Sequence, residues 1–407
     1  MFEVTQYSKV KQIVPFLLVA AVGLIYLQHF DNLNNDFKVF YNAGLDFRDG
    51  VNPWDSQLDP NAMYLNGSST LILLSILSFF PLEWAIFFVR ALSLTMVAVS
   101  IYSIRNLPHK PPQPQLILFL FLAFPVRSAM EYGQLTIIFS AIAFYIVISV
   151  NNKSTDTFIV ILGVALILDF KPHIFIGVIT FLILMRRFAL LLKAFFVWLA
   201  FQFIVGLYCQ IIPIVEMVKA IFLRSGTVSE GDDSFSIVSI CDFDSRWSTM
   251  ISLCLILIYG IYSFTTRRDP ASGLLPITAF SLLITPLLHP TDLMLLLLVF
   301  VVKSELARFG SLIMGLFFVW SPQLSGVGFT FFIIITSFCV SLFCGYRFSI
   351  NDFALVSLPN IVYLILIRAG LDEVNVRHSI HLMIPLLIGV HYSVRSSNMD
   401  SAVTNPG

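Results

Sequence analysis

Long apolar runs separated by short polar turns dominate the chain, and the runs follow one another closely. A helix needs about 20 apolar residues to cross the hydrocarbon core of a bilayer, so such runs favour membrane-spanning helices. The pattern predicts an all-α polytopic membrane protein with roughly 11–14 transmembrane helices. The predicted spans lie near 13–27, 84–104, 114–127, 134–150, 157–170, 173–185, 188–212, 249–265, 271–288, 291–302, 308–323, 327–345, 353–368 and 379–394.

The composition agrees with this membrane class. Hydrophobic residues make up 57% of the 407 residues and charged residues only 12%, and there are 40 phenylalanines. Soluble domains carry about 25% charged residues, which this chain lacks. An ordinary soluble enzyme, a nucleic-acid-binding protein and a disordered protein are therefore excluded as interpretations, and the lipid bilayer is the first expected partner.

Charge distribution sets the predicted topology. The apolar run over 70–80 is short and ends at Pro81, so we interpret it as a juxtamembrane or re-entrant helix. With that interpretation, basic residues gather on the side of the N-terminus, as the positive-inside rule requires. The sequence predicts one domain over 1–395 in a plasma or inner membrane, with cytoplasmic termini and a disordered cytoplasmic tail over 396–407. The two long outer loops are expected at about 29–69 and 213–248.

Polar residues cluster at the ends of predicted spans, and the span order places four clusters on the same outer face. Polar groups at membrane depth are expensive and are retained mainly for function. We therefore expect a polar cavity at the outer leaflet. The four clusters are Asn35-Asp36-Phe37, Tyr132-Gly133-Gln134, Asp169-Phe170-Lys171-Pro172-His173 and His289-Pro290-Thr291-Asp292.

Asp36 is the candidate general base of this cavity. Val39, Phe40 and Ala43 follow it at helical spacing, which predicts an amphipathic helix in the first outer loop. A carboxylate at the lip of a cavity can take a proton from a hydroxyl group. The alternative is a solvated aspartate that caps the helix.

Cationic side chains in the same region are candidates for phosphate binding. Lys171 stands before Pro172 at a span end, and His289 interrupts an apolar stretch. A lysine or an imidazolium there suits a phosphate at headgroup depth. Alternatively, Lys171 reaches lipid phosphates and His289 is an ordinary interfacial histidine. Arg224 and Arg246 flank the second outer loop and are further phosphate candidates.

Metal and nucleotide chemistry have little support. Asp242 and Asp244 form a D-x-D pair that could hold a divalent metal with a diphosphate, although such pairs are common in acidic loops. No phosphate-binding P-loop, dinucleotide fingerprint or H-E-x-x-H motif occurs. We therefore expect no cofactor and no required metal. Arg90, placed deep in a span, is interpreted as paired internally or as reaching toward the membrane surface.

The same residues, in this order, resemble glycosyltransferase family 87, the polyprenyl-phosphate-mannose-dependent mannosyltransferases. The first-loop signature of that family resembles Asp36-Phe37, Tyr41, Ala43, Gly50 and Asn52-Pro53-Trp54. Later family motifs resemble Pro125, Gly133-Gln134, Lys171-Pro172, Arg186-Arg187 and Thr285-Pro286-Leu287-Leu288-His289. The resemblance covers most of 1–300.

This resemblance implies a GT-C-type fold and transfer of a sugar, mannose in this family, from polyprenyl phosphate to a glycan or glycolipid acceptor. Asp36 would deprotonate the acceptor hydroxyl, and transfer would invert the anomeric centre. Lys171 and His289 would stabilise the leaving phosphate. The candidates for binding sugar or acceptor are Gln134, Tyr41, Trp54 and Asp292.

Two other function classes stay open. An O-antigen-type polymerase or ligase is also polytopic and acts on lipid-linked glycans. It is expected to use arginine and histidine in its large outer loop, and 213–248 contains Arg224 and Arg246 but no histidine. A transporter is the non-enzymatic alternative. It predicts broken helices at the midplane and a repeated architecture, whereas these polar clusters fall at one face.

Overall fold

The described part of the chain is all-helical. The computed structural model describes 35–55, 64–104, 126, 129–130, 132–151, 157–227, 254, 258 and 290–293, and these ranges contain eight α-helices and no strand. The predicted spans before 35 and those after 227 lie outside the described residues, as does the predicted tail. The helices are α1 Asn35–Arg48, α2 Ser68–Leu77, α3 Leu82–Ile104, α4 Thr136–Asn151, α5 Phe158–Asp169, α6 Pro172–Leu184, α7 Phe188–Cys209 and α8 Pro213–Thr227, with a 3₁₀ turn at Pro290–Leu293.

Two helices are long and apolar enough to cross a membrane. They are α3, over Leu82–Val99, and α7, over Phe188–Cys209. Most residues of both helices are not buried in the protein interior, which is unlike the core helix of a soluble domain. On α7, for example, 61% of Phe196 and 66% of Phe203 are exposed. Large apolar surfaces of this kind mark contact with lipid or a partner.

Other helices are shorter than a complete span. The 10 residues of α2 make a helix about 15 Å long, half of what a bilayer core requires. The prediction that the 70–80 run does not span by itself is thus confirmed. The 12 residues of α5 and the 13 of α6 are also short of a full crossing, so their assignment as separate spans stays a prediction.

The predicted amphipathic helix at Asp36 is confirmed as α1. Its buried face packs on α2. The Tyr41 hydroxyl donates to the carbonyl oxygen of Phe80, three residues after the end of α2, at 2.8 Å. Arg48 Nη1 donates to the carbonyl oxygen of Ser78 at 2.9 Å. These two bonds satisfy carbonyls beyond the last turn of α2, which have no helical partner. The buried face consists of Phe37, Phe40, Ala43 and Phe47.

An antiparallel pair of helices, α4 and α5, forms the centre of the described structure. Almost every residue of α4 is buried, and Gly163 of α5 packs against Ile142 and Ile146 of α4. Helix α3 packs on α4, and α7 packs on α5 and α2. This arrangement brings the start of α4, the end of α5 and the start of α2 together.

Helix α8 lies inside the predicted outer loop 213–248. Pro213 occupies its first position, where a missing backbone N–H costs nothing. Met217 and Ala220 are buried, and Glu216 pairs with the exposed Lys219 at 2.7 Å. The predicted outer segment therefore begins with an amphipathic helix and not with an irregular loop.

Candidate functional site

Asp36 and Gln134, 98 positions apart in sequence, are in direct contact. Gln134 Nε2 donates to Asp36 Oδ2 at 2.6 Å. The reverse amide orientation would set two acceptor oxygens against each other, so the contact fixes which end of the amide faces the carboxylate. Asp36 lies in the first turn of α1, where the helix dipole favours a negative charge. The helix terminus and Gln134 together hold the carboxylate in one place.

Each partner of this contact keeps one oxygen for a ligand. In the part of the chain that the structure describes, Gln134 Oε1 is buried and has no hydrogen-bond partner. Over the same ranges, the contact with Gln134 engages Asp36 Oδ2 and not Oδ1. A buried acceptor without a donor destabilises the fold by about 1–3 kcal/mol, so such a group calls for a partner such as a bound water or a ligand. These two acceptor oxygens suit a ligand that brings hydroxyl groups.

The turn before α4 presents Gln134. Gly133 adopts a left-handed conformation with φ +62°, and Gln134 N donates to the carbonyl oxygen of Ala129 at 2.8 Å. Phe37, the neighbour of Asp36, packs directly over Gly133 and is fully buried. Arg90 is buried in α3 and its Nε donates to the carbonyl oxygen of Met130 at 2.9 Å, just before the turn. The internal pairing predicted for Arg90 is confirmed.

Gly133→Ala is expected to displace this turn. The added Cβ would lie 2.8 Å from Phe37 Cβ, and a left-handed φ is unfavourable for alanine. We expect a loss of about 2 kcal/mol in the free energy of unfolding, together with a weaker contact between Gln134 and Asp36. Unfolding of the purified protein in detergent measures the first effect. Gly50→Ala is the control, because Gly50 also has a positive φ but open space around it. Equal losses in the two variants would contradict the packing argument.

Lys171 and Asp292 form the second polar contact. Lys171 Nζ lies 3.0 Å from Asp292 Oδ1, and the side chain of Asp292 is fully buried while 17% of the Lys171 side chain is exposed. Lys171 has a left-handed backbone (φ 41°, ψ 62°) directly before Pro172, a position where extended conformations are preferred. Such a conformation costs about 1–2 kcal/mol for a residue other than glycine. Strain of this kind is typical of functional sites.

A ring stack connects the two polar contacts. Phe139 of α4 lies parallel to Phe170, with ring centroids 3.6 Å apart and planes 7° apart. Gln134 precedes Phe139 by five residues, about 7 Å along the chain axis, and Lys171 directly follows Phe170. The structure thus brings described residues from each of the four predicted polar clusters to one end of the α4–α5 pair, namely Asp36, Gln134, Lys171 and Asp292.

Asp169 is the central residue that the sequence analysis left without a role. Its buried carboxylate accepts bonds from Ser69 N at 3.1 Å and Gln202 Nε2 at 3.2 Å, and also from the Ser69 hydroxyl. Its backbone oxygen accepts from Gly67 N at 2.8 Å. An aspartate at the end of an otherwise apolar helix was the available signal. Its partners, which lie on two other helices, could not be read from the sequence.

Trp54 and Tyr64 are buried beside the segment that leads into α2, where they contact Asn66 and Gly67. Trp54 is 2% exposed, its Nε1 donates to the carbonyl oxygen of Asn66 at 3.0 Å, and its ring lies 5.6 Å from that of Tyr64. Burial and the charge of Asp169 raise the pKa of Tyr64 well above its usual range, so its hydroxyl keeps its proton and donates to Gly67. Trp54 offers no exposed ring face to a sugar in this structure.

The remaining predicted site residues are placed as follows. Tyr41 lies on α1, and its hydroxyl donates to the carbonyl oxygen of Phe80. Arg224 lies near the end of α8. Across the described ranges, no group of three or more His, Cys, Asp or Glu side chains is arranged to hold a metal ion. His289, Arg246, Asp242 and Asp244 lie outside the described residues.

No family model, no curated protein and no solved structure matches this chain. The resemblance to glycosyltransferase family 87 therefore stays a prediction from the residues.

Proposed function

We propose that this chain is an integral-membrane glycosyltransferase. It would move a sugar, mannose in the first instance, from polyprenyl phosphate to a hydroxyl of a glycan or glycolipid at the non-cytoplasmic face. The proposed localisation is a plasma or inner membrane with both termini in the cytoplasm. The observation that carries the proposal is the hydrogen bond between Asp36 and Gln134, in the same region as the Lys171–Asp292 pair.

Asp36 is the proposed general base. Its carboxylate would take the proton of the acceptor hydroxyl, and the hydroxyl oxygen would form a bond to the anomeric carbon from the face opposite the phosphate. The bond between that carbon and the phosphate oxygen would break, and polyprenyl phosphate would leave with the electron pair. The configuration of the anomeric carbon would therefore invert. The bond from Gln134 supports this role because it orients one carboxylate oxygen and leaves the other for the acceptor.

Lys171 is the proposed partner of the leaving phosphate. An ammonium group has three N–H donors, so Lys171 can keep its bond to Asp292 and still donate to a phosphate oxygen. Charge that builds on the leaving oxygen is stabilised when such a donor is already in place. His289, Arg224 and Arg246 are proposed to add to this cationic region. No metal is required for a monophosphate leaving group that side-chain cations hold.

Sugar and acceptor recognition is proposed for Gln134 and Tyr41, while Trp54 and Asp292, whose side chains are buried, are proposed to support the site. Gln134 is the best supported, since its buried Oε1 is an acceptor without a protein donor in the described ranges. Tyr41 and Trp54 would act at the edge of the site or by supporting it, because the Trp54 ring is buried. The exposed apolar surface of α7 supports a substrate that arrives from the lipid phase.

A transfer assay in proteoliposomes tests the proposal. The full-length protein is supplied with radiolabelled polyprenyl-phosphate mannose and a membrane glycolipid extract, with and without EDTA. We expect label to move to the acceptor fraction and EDTA to have no effect. Parallel assays with a polyprenyl-diphosphate oligosaccharide and with free labelled sugar outside sealed vesicles report polymerase activity and transport. Activity only in one of these parallel assays, or loss of transfer with EDTA, would contradict the proposed reaction.

A further inference from the structure

Lys171 occupies an unfavourable backbone conformation in the candidate site, and something must hold it there. Its φ of 41° and ψ of 62°, directly before Pro172, are disfavoured for any residue with a side chain. The ion pair with Asp292 fixes the ammonium end of the side chain, but it does not fix the backbone. The support for the backbone therefore has to come from the neighbouring residues of the chain.

The residue two positions earlier is tied to two other helices. The carboxylate of Asp169 accepts from Ser69 N and Ser69 Oγ in the first turn of α2, and from Gln202 Nε2 in the middle of α7. Its own helix, α5, ends at Asp169. The last residue of α5 is thus fixed from two sides, by hydrogen bonds that are shielded from water because Asp169 is 1% exposed.

The same contacts complete the N-terminus of α2. Gly67 is the N-cap residue and has no side chain to receive the first backbone N–H groups. Asp169 takes over this capping role by accepting the backbone N–H of Ser69, from which it is 100 residues distant in sequence. A side chain at Gly67 would collide with the Asp169 carboxyl, so glycine is needed for this close approach. The Asp169 carboxylate and the N-terminus of α2 are therefore complementary in shape and in hydrogen bonding.

Phe170, between Asp169 and Lys171, is held by its stack on Phe139. The two residues that precede Lys171 are therefore both immobilised, one by hydrogen bonds and one by ring packing. With Pro172 fixing the next φ, the backbone of Lys171 has no freedom to relax toward an extended conformation. The strain at Lys171 persists because its surroundings determine it.

We propose that Asp169 is a positioning residue that sets the place of the Lys171 ammonium in the candidate site. The role of Lys171 toward phosphate rests on the proposed function, but the positioning itself does not. Asp169 is buried and contacts no substrate; it acts through the α5–α6 corner. Losing any one of its hydrogen bonds should release that corner and expose Lys171.

Lysine acylation of the full-length protein in detergent micelles tests this inference. An N-hydroxysuccinimide ester of acetate is the probe, and mass spectrometry follows the rate at Lys171 with exposed Lys38 as internal reference. We expect Ser69→Ala and Gln202→Leu, which each remove one donor to Asp169, to raise the Lys171 rate about fivefold relative to Lys38. Ser75→Ala is the matched control, because its hydroxyl bonds only to its own helix, at Ile72.

Two outcomes would overturn the inference. One is an unchanged Lys171 rate in both Ser69→Ala and Gln202→Leu. The other is an equal rise at Lys171 and Lys38, because that would mean general loosening of the fold. These outcomes do not depend on any enzymatic activity, so a failure of the proposed function would be recognised separately by the transfer assay.

Where transfer is observed, a double-mutant cycle adds a functional readout. Ser69→Ala is expected to lower kcat about fivefold with the acceptor KM unchanged. On a Lys171→Ala background it should have no further effect on kcat, because the group that it positions is gone. Additive losses would contradict positioning through Lys171.

Discussion

Asp36→Asn is expected to lower the rate of sugar transfer by about 10²–10⁴-fold, the contribution usual for a general base. Asparagine has the shape of aspartate, and its carbonyl oxygen can still accept the bond from Gln134 Nε2. It cannot take the proton of the acceptor hydroxyl. We therefore expect a folded protein with nearly unchanged substrate binding and a strongly reduced kcat. Initial rates of label transfer in proteoliposomes measure the effect.

Asp49→Asn is the matched control for this substitution. Asp49 follows the other end of α1, where its exposed carboxylate lies 3.7 Å from Arg48 Nε. Exposed ion pairs of this kind contribute little, so the rate should stay within about twofold of wild type. Gel filtration of both variants checks that they are equally well folded. Wild-type rates in Asp36→Asn would show that the base assignment is wrong, whatever reaction the protein catalyses.

Long apolar helices were the part of the fold most readily predicted from the sequence. The runs at 84–104, 134–150 and 188–212 correspond to α3, α4 and α7 with boundaries shifted by a few residues. The reason is physical: a helix in lipid has to be apolar along its whole length, which leaves a strong signal. The short apolar run that ends at Pro81 was predicted equally well, because its length alone is too small to cross a bilayer.

Amphipathic helices outside the spans were predicted unevenly. Helix α1 was predicted because its apolar residues recur at helical spacing after Asp36. Helix α8 was not predicted, because it lies in the segment interpreted as an outer loop. Its mixed composition resembles that of a loop when only apolar runs are counted. Its signals were present in Pro213 and in the buried pair Met217 and Ala220.

For residues distant in sequence, the pattern predicted a shared face of the protein but not which residues are in contact. The order of the spans suggested that Asp36, Gln134, Lys171 and Asp292 share one face. Which of them touch depends on helix packing that no local pattern encodes. The left-handed backbone of Lys171 was also unpredictable, because a residue before proline is expected to be extended. Tertiary contacts at Asp169 and Phe170 override that local preference.

Lys171→Met is expected to lower the free energy of unfolding by about 3 kcal/mol. Methionine fills a similar volume, but it leaves the fully buried carboxylate of Asp292 without its ammonium partner. Removing one member of a buried ion pair typically costs about 3–5 kcal/mol, and the other contacts of Asp292 place this case at the lower end. Chemical unfolding of the full-length protein in detergent micelles gives the measurement.

Lys219→Met supplies the control, because it makes the same substitution in an exposed pair. Lys219 lies 2.7 Å from Glu216 with 65% of its side chain exposed, so a change of less than about 0.5 kcal/mol is expected. Adding Asp292→Asn to Lys171→Met removes the buried charge and should recover most of the lost stability. A double variant less stable than Lys171→Met alone would contradict the ion-pair explanation. If the double variant is stable but transfers no sugar, the loss of activity belongs to the Lys171–Asp292 pair and not to a loss of stability.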